Sequence, residues 1–223
     1  MTGKSPFFIA SCLILLTGCV AVAPIPKKDY TKFRTEDPRS ILIVPVVNRS
    51  VDVDASDYFL SAATLPPAER GYYIFPVNLV KRLLEDDGLS DADLMHSSDP
   101  TRVAGLFGAD AVLYISIQQW DAKYLVFSTT VTVRFAYSLK SGKTGETLWE
   151  HSETMVYSPQ LQESSGSPLA DLIAQIVSAA VTKAAPNYVP LARQANANAV
   201  TRPGQGLPAG PYHEKYNKDK DQF

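Results

Sequence analysis

Apolar and polar residues alternate most regularly between Leu125 and Lys140. One face of this segment carries Phe127, Val131, Val133, Phe135, Tyr137 and Leu139, and the other carries Ser128, Thr130, Thr132, Arg134 and Ser138. A two-residue period predicts a strand with one buried and one solvated face, which is typical of antiparallel sheets. The glycine-containing stretch 141–145 predicts a hairpin turn, so Glu146 to Tyr157 is expected to return as the partner strand.

Three other segments have the composition of strands. Ile41 to Val47 is apolar throughout, which predicts a strand buried on both faces. Pro45 lacks a backbone donor and should lie near a sheet edge or a bulge. The other two segments are Gly71 to Phe75 and Ala111 to Gln118. A turn is expected between Gln118 and the strand that begins at Leu125.

Helical spacing of apolar residues occurs in four segments. A short helix is expected between Tyr58 and Ala68, and a longer one begins at Pro76 and ends near Gly88. Another short helix is expected to begin at Pro100, with Asp99 as its N-cap residue and Pro100 as its first helical residue. The most regular apolar stripe, with spacing i, i+3 and i+4, lies between Asp171 and Ala184.

The order of these elements predicts one α/β (α+β) domain. Its mixed β-sheet has about five strands with helices packed on it, and its expected bounds are residues 40–188. Residues 19–39 contain several prolines and charges without an apolar period, which predicts a tether. Residues 189–223 are dominated by Ala, Asn, Gly and Pro, so we expect a mostly disordered tail.

The first residues predict a secretory signal. A basic start at Lys4 precedes the apolar run Pro6 to Leu16, which is too short to span a bilayer. Leu16, Thr17, Gly18 and Cys19 resemble the lipobox of bacterial lipoproteins. This resemblance implies that residues 1–18 are a signal peptide, that Leu16, Thr17 and Gly18 are recognised by the signal peptidase, and that Cys19 carries acyl chains such as palmitate.

Two or three acyl chains on Cys19 would anchor the protein permanently, whereas one chain binds only marginally. Residue 20 is Val rather than the Asp that commonly retains lipoproteins in the inner membrane. We therefore expect an outer-membrane protein that faces the periplasm.

The composition limits the possible chemistry. Of 223 residues 45% are hydrophobic, and the net charge of -2 gives no basic surface for nucleic acid. Gly142-Lys143-Thr144 lacks the remainder of a phosphate loop, and the acidic stretch from Asp52 lacks the Gly and Glu of a calcium loop. The three histidines have no metal-binding spacing. We expect no catalytic residue, cofactor or metal, and therefore a protein that is not an enzyme.

Aromatic residues are the remaining candidates for binding. Tyr72 and Tyr73 are adjacent, so their rings should lie on opposite faces of a strand and one of them should be exposed. Trp120 and Tyr124 flank the expected turn. These four side chains are the candidate anchors for a protein partner.

Several stretches resemble uncharacterised lipoproteins of Gram-negative bacteria whose fold is like the amino-terminal domain of TolB. The matching stretches are ILIVPVVNRSVDVDASDYFL, GYYIFPVNLV, FGADAVLYISIQQWD, GKTGETLWE and the tail sequence GLPAGPYHEKY. The strand ending in P-x-x-N and the GADAVL strand are also similar to CsgG and to lipoprotein activators of penicillin-binding proteins. The resemblance implies a non-enzymatic module that binds proteins, and it implies that Tyr212 and Tyr216 dock on the domain.

Three functions follow as hypotheses. The first is an accessory lipoprotein in envelope assembly or secretion that binds other envelope proteins, possible partners being other lipoproteins. The second is an activator of a peptidoglycan synthase, with a penicillin-binding protein as partner. The third is a cell-wall enzyme with an unrecognised site.

Overall fold

The computed structural model of the protein describes residues 26–51, 53, 55–125, 128–157 and 189–223. In chain order its elements are α1 (Thr31–Glu36), β1 (Ser40–Ile43), β2 (Val47–Asn48), α2 (Ala55–Ala63), α3 (Leu65–Glu69), β3 (Tyr73–Ile74), α4 (Val77–Asp86), α5 (Ala92–Ser97), α6 (Pro100–Phe107), β4 (Ala111–Leu125), β5 (Ser128–Ser141), β6 (Thr147–Tyr157) and α7 (Val189–Thr201). The expected helix Asp171 to Ala184 lies outside the described residues, as does the lipobox with Cys19.

The described strands form one mixed sheet in the order β3-β1-β4-β5-β6, with β2 also paired to β4. The pairs made by β1, β2 and β3 are parallel, and the β4-β5 and β5-β6 pairs are antiparallel. The expected strand Ile41 to Val47 is present but is divided at Pro45, which has no N–H to donate. This division produces the sixth strand, where about five were expected.

Helices cover both faces of the sheet, and each face has its own core. Phe59 of α2 and Ala195 of α7 belong to one core, which includes the alternate residues Val133, Phe135, Tyr137 and Leu139 of β5. Leu84, Met95 and Val103, from α4, α5 and α6, belong to the other. The second core takes its strand residues from β1 and β4 and none from β5 or β6, and α6 reaches β5 only through a few contacts.

The hairpin between β4 and β5 is longer than expected. Strand β4 continues to Leu125, so Trp120 and Tyr124 lie within a strand and the expected turn before Leu125 is wrong. A register shift between Ile117 and Gln119 leaves Gln118 as an extra residue in β4, and pairing resumes at Gln119 with Arg134.

The structured region begins before residue 40. Tyr30 and Phe33 are 4% exposed, and both belong to the first core. The ring of Tyr30 meets Phe223 edge-on at a centroid distance of 6.0 Å. The tether expected for residues 19–39 is therefore wrong for its last ten residues, because they contain α1 and two aromatic side chains that pack into the first core.

Residues 189–223 are ordered, which corrects the expectation of a mostly disordered tail. Ala192, Ala195 and Ala199 of α7 are completely buried, since small side chains let this helix approach α2 closely. The carboxylate of Asp219 is 3.0 Å from Arg70, and the hydroxyl of Tyr216 donates to Asp37 over 2.6 Å. Docking of Tyr216 is thus observed.

Two local predictions differ in detail from the structure. Asp99 caps α6 through the Thr101 amide, as expected, whereas Asp91 caps the unexpected helix α5 through the amides of Asp93 and Leu94. The helical spacing of Val77, Val80, Leu83 and Leu84 predicts the buried face of α4, and of these Leu83 is 44% exposed.

Candidate functional site

A polar groove of about 580 Å³ lies on the face of β4, β5 and β6 that carries Tyr114, and His96 of α5 also lines it. The strand register forms its floor from two rows of neighbours, Tyr114-Ser138-Glu150 and Ser116-Ala136-Ser152. The intervening residues of β5, including Phe135 and Tyr137, face the opposite core. Small side chains in the floor leave the open volume, and their hydroxyl groups make it polar.

Two hydroxyl groups in this floor are buried without a hydrogen-bond partner in the described part of the chain. They are the phenol of Tyr114, a residue that is 6% exposed, and the hydroxyl of its cross-strand neighbour Ser138. A buried hydroxyl without a partner costs about 1–3 kcal/mol. Both residues line the groove, so its lining contains unused hydrogen-bonding capacity.

Burial raises the pKa of Tyr114 to about 12, and the carboxylate of Asp99 contributes to the increase. The phenol consequently keeps its proton at physiological pH and can act as a hydrogen-bond donor. The Nζ of Lys140 lies 5.3 Å from the centroid of the same ring, within cation–π range.

His96 lies beside Tyr114, and the two rings meet edge-on with a centroid distance of 5.2 Å. Its Nε2 is 2.9 Å from the carbonyl oxygen of Pro45. A carbonyl only accepts, so Nε2 carries the proton in the neutral ring and Nδ1 is the acceptor. Burial lowers the pKa of His96, partly opposed by the bond to Pro45, so the neutral ring predominates at pH 7.

Charged groups complete the groove. Lys28 donates to the carbonyl oxygen of Glu150, and burial lowers the pKa of Lys28 although the Glu150 carboxylate opposes this effect. Among the described residues Lys140 has no carboxylate in ion-pair distance. The lining thus combines two ammonium groups, one carboxylate and several hydroxyl groups.

A second surface, which we call the aromatic edge, consists of Tyr73, Phe75, Phe107 and Tyr212. Tyr73 is 52% exposed on β3, at one end of the strand order. Its ring meets Phe75 edge-on at 5.1 Å, and Phe75 meets Phe107 at 6.2 Å. Tyr212 is exposed, and its amide donates to the carbonyl oxygen of Gly71 over 3.1 Å.

The structure separates the four candidate partner-binding aromatics. Tyr73 is exposed, as the alternation predicted for one of the pair, whereas Tyr72 is buried and donates its hydroxyl to Pro208 over 2.8 Å. Trp120 is also buried, with its ring 5.7 Å from that of Phe135. Tyr72 and Trp120 thus present little surface to a partner, and partner binding by Tyr73 stays a prediction. The side chain of Tyr124 lies outside the description.

Sequence reasoning missed the groove, because its residues come from three strands and look like ordinary solvated positions. The available signal was one small hydroxyl residue in each of the three strands, namely Ser116, Ser138 and Ser152. Only the strand register brings them together.

The other histidines have different surroundings. Nε2 of His151 is 2.9 Å from the buried carboxylate of Glu153, which is also 2.9 Å from Arg202. His213 accepts from the amide of Lys215. Within the described ranges no three metal-binding side chains are grouped to hold an ion. None of the helices in those ranges is long and apolar enough to cross a membrane.

The sequence profile of the family described as "Putative lipoprotein GNA1162-like" matches residues 28–212. The chain belongs to this family. The "Putative lipoprotein NMB1124/NMB1162" of Neisseria meningitidis serogroup B is 31% identical over 180 residues, which are 81% of each protein. The crystal structure of lipoprotein GNA1162 from Neisseria meningitidis is 29% identical, with a TM-score of 0.54, and the match covers 66% of this chain and 100% of that one.

These matches confirm the lipoprotein family and the mixed α+β fold that the sequence stretches indicated. The names of these relatives include no enzymatic activity.

Proposed function

We propose that the protein is a lipid-anchored accessory lipoprotein of the outer membrane. It faces the periplasm and acts by binding other proteins in envelope assembly or secretion. The observation that carries this proposal is the aromatic edge, where Tyr73 and Tyr212 are exposed at the end of the sheet. When a partner binds, a tyrosine that is exposed in the free protein buries much apolar area and loses little conformational entropy, which suits it to anchor the partner.

The lipid anchor is supported by the lipobox and by membership of a lipoprotein family. Cys19→Ala is expected to leave the precursor uncleaved and without acyl chains, detected by mass spectrometry and by fractionation of the outer membrane. Cys12→Ala is the matched control, because this cysteine lies in the expected signal peptide and should not affect processing. Unchanged acylation of the Cys19→Ala protein would contradict the anchor.

The buried position of Tyr30 limits the reach of the domain from the membrane. About eleven residues separate Cys19 from Tyr30, and they span at most about 40 Å when fully extended. This short distance favours a partner close to the same membrane. It disfavours the activator of a peptidoglycan synthase, whose target must be reached through the wall.

The partner is tested by placing a photo-crosslinking residue at position 73 in living cells. Val156 is the matched control, because it is exposed to a similar extent on β6, at the other end of the strand order. We expect position 73 to capture an envelope protein that position 156 does not capture, and Phe75→Ala to reduce the yield. Equal yields from both positions would contradict binding at the aromatic edge.

The identity of a captured protein distinguishes the hypotheses. Another assembly or secretion lipoprotein supports the accessory role, whereas a penicillin-binding protein supports the activator.

A further inference from the structure

The polar groove is distinct from the aromatic edge. It lies over β4, β5 and β6, whereas the aromatic edge begins at β3, and the two share no residue. We propose that the groove binds a saccharide unit that carries a carboxylate group.

The first argument is the buried phenol of Tyr114. It is a donor without a partner in the described part of the chain, and it lines the groove together with the equally unpartnered hydroxyl of Ser138. A ligand that supplies oxygen acceptors would remove the cost of both groups. An apolar ligand would leave both groups unsatisfied, so the site selects against one.

The second argument is the density of hydroxyl groups. Ser116, Ser138, Ser152 and Thr147 line the groove with Tyr114, and each hydroxyl both donates and accepts a hydrogen bond. A sugar ring presents hydroxyl groups with the same dual character, so it can exchange hydrogen bonds with the floor. The carboxylate of Glu150 adds a strong acceptor for sugar hydroxyls.

The third argument is the charge. Lys28 and Lys140 outnumber Glu150 in the lining, and Lys140 has no ion-pair partner among the described residues. An ammonium group beside Tyr114 forms a charge-assisted bond with a carboxylate, which is about twice as strong as a bond between neutral groups. This bond distinguishes an acidic sugar from a neutral one.

The size agrees with this class of ligand. Pockets for small ligands commonly measure about 300–1,000 Å³, and the groove of about 580 Å³ lies within that range. Its open face also permits the unit to belong to a longer chain.

The test compares two probes that share one ring. N-acetylmuramic acid carries a carboxylate on a lactyl ether, and N-acetylglucosamine lacks that group. Binding to the full-length chain, in a detergent without a sugar headgroup, is measured by saturation-transfer NMR titration. We expect the acid to bind in the millimolar range and the neutral sugar to bind at least about tenfold more weakly.

Two variants locate the binding in the groove. Tyr114→Phe removes only the phenolic hydroxyl group and should weaken the binding of N-acetylmuramic acid about fivefold. Tyr73→Phe, the matched control, removes a hydroxyl from the aromatic edge and should leave the affinity unchanged. Lys140→Gln should weaken the binding of N-acetylmuramic acid about tenfold and leave the affinity for N-acetylglucosamine unchanged. Thermal melting verifies that each variant is folded.

The proposal is overturned if the acid gives no saturation transfer, if both sugars bind equally, or if Tyr114→Phe and Lys140→Gln both bind the acid as the unaltered protein does. These results leave the proposed protein-binding function intact, because that function is tested at position 73.

Discussion

The carboxylate of Asp219 holds the C-terminal segment on the domain, so its removal should destabilise the fold. Asp219 is 2% exposed; its Oδ2 is 3.0 Å from Nη2 of Arg70 and accepts from the amide of Ala209 over 2.6 Å. Nη2 of Arg34 lies 3.7 Å from the other oxygen. The informative change is Asp219→Asn, which preserves the size of the side chain and removes its charge.

The magnitude follows from the burial of both partners. Breaking a buried ion pair from one side costs about 3–5 kcal/mol, because the remaining charge loses its compensation. Arg70 also donates to the carbonyl oxygen of Leu207, and its side chain is 14% exposed. This partial compensation places the expected loss near the lower limit, at about 3 kcal/mol. The corresponding decrease in Tm is about 6–12 °C for a chain of this size.

Urea denaturation of the folded protein measures the loss, and hydrogen exchange locates it. The amides of Gly210 and Tyr212 donate to Arg70 and Gly71 and should exchange faster in the variant. Asp221→Asn is the matched control, because it removes an exposed carboxylate two residues away and should change stability by less than about 0.5 kcal/mol.

A loss in Asp219→Asn no larger than that in the control would refute the reasoning. So would unchanged exchange at Gly210 and Tyr212, because the segment would then remain docked without its ion pair.

Two further predictions concern His96 and Gly71. Burial lowers the pKa of His96 below its unfolded value of about 6.5, so stability is complete above that pH and decreases as the pH falls towards the folded pKa. His96→Gln should make the decrease in the free energy of unfolding between pH 7 and pH 5, measured by urea titration, smaller. An unchanged dependence on pH would show that His96 does not cause the decrease. Gly71→Ala should cost more stability than Gly88→Ala. Both glycines have a positive φ, so both substitutions strain the backbone. Only at Gly71 would the new Cβ also clash with another part of the chain, because it would lie 2.4 Å from the backbone nitrogen of His213. Equal costs would show that the tail is not docked there.

Local sequence patterns were sufficient for the elements whose signal is contained in a short window. The alternation at Val133, Phe135, Tyr137 and Leu139 predicted a half-buried antiparallel strand, because one face of that strand meets the core and the other does not. The Asp99 cap likewise acts within its own first turn. The lipobox, which predicts the anchor at Cys19, is also a contiguous pattern.

Long-range contacts decided the remaining features. The tail lacks large apolar residues in a periodic pattern, yet Asp219 and Phe223 are buried. Asp219 forms an ion pair with Arg70, and the ring of Phe223 packs against Tyr30, and both partners are distant in sequence. The adjacent residues Tyr72 and Tyr73 differ in exposure, and the contact with Pro208 accounts for the burial of Tyr72.

The groove shows the same division most clearly. Ser138 is an ordinary polar position in its own strand, and it becomes part of a site only because the register places Tyr114 on one side of it and Glu150 on the other. Sequence alone determined that this face would be polar. Tertiary structure decided that the face would hold a groove, because the core that α4, α5 and α6 form with β1 and β4 takes no residue from β5 or β6.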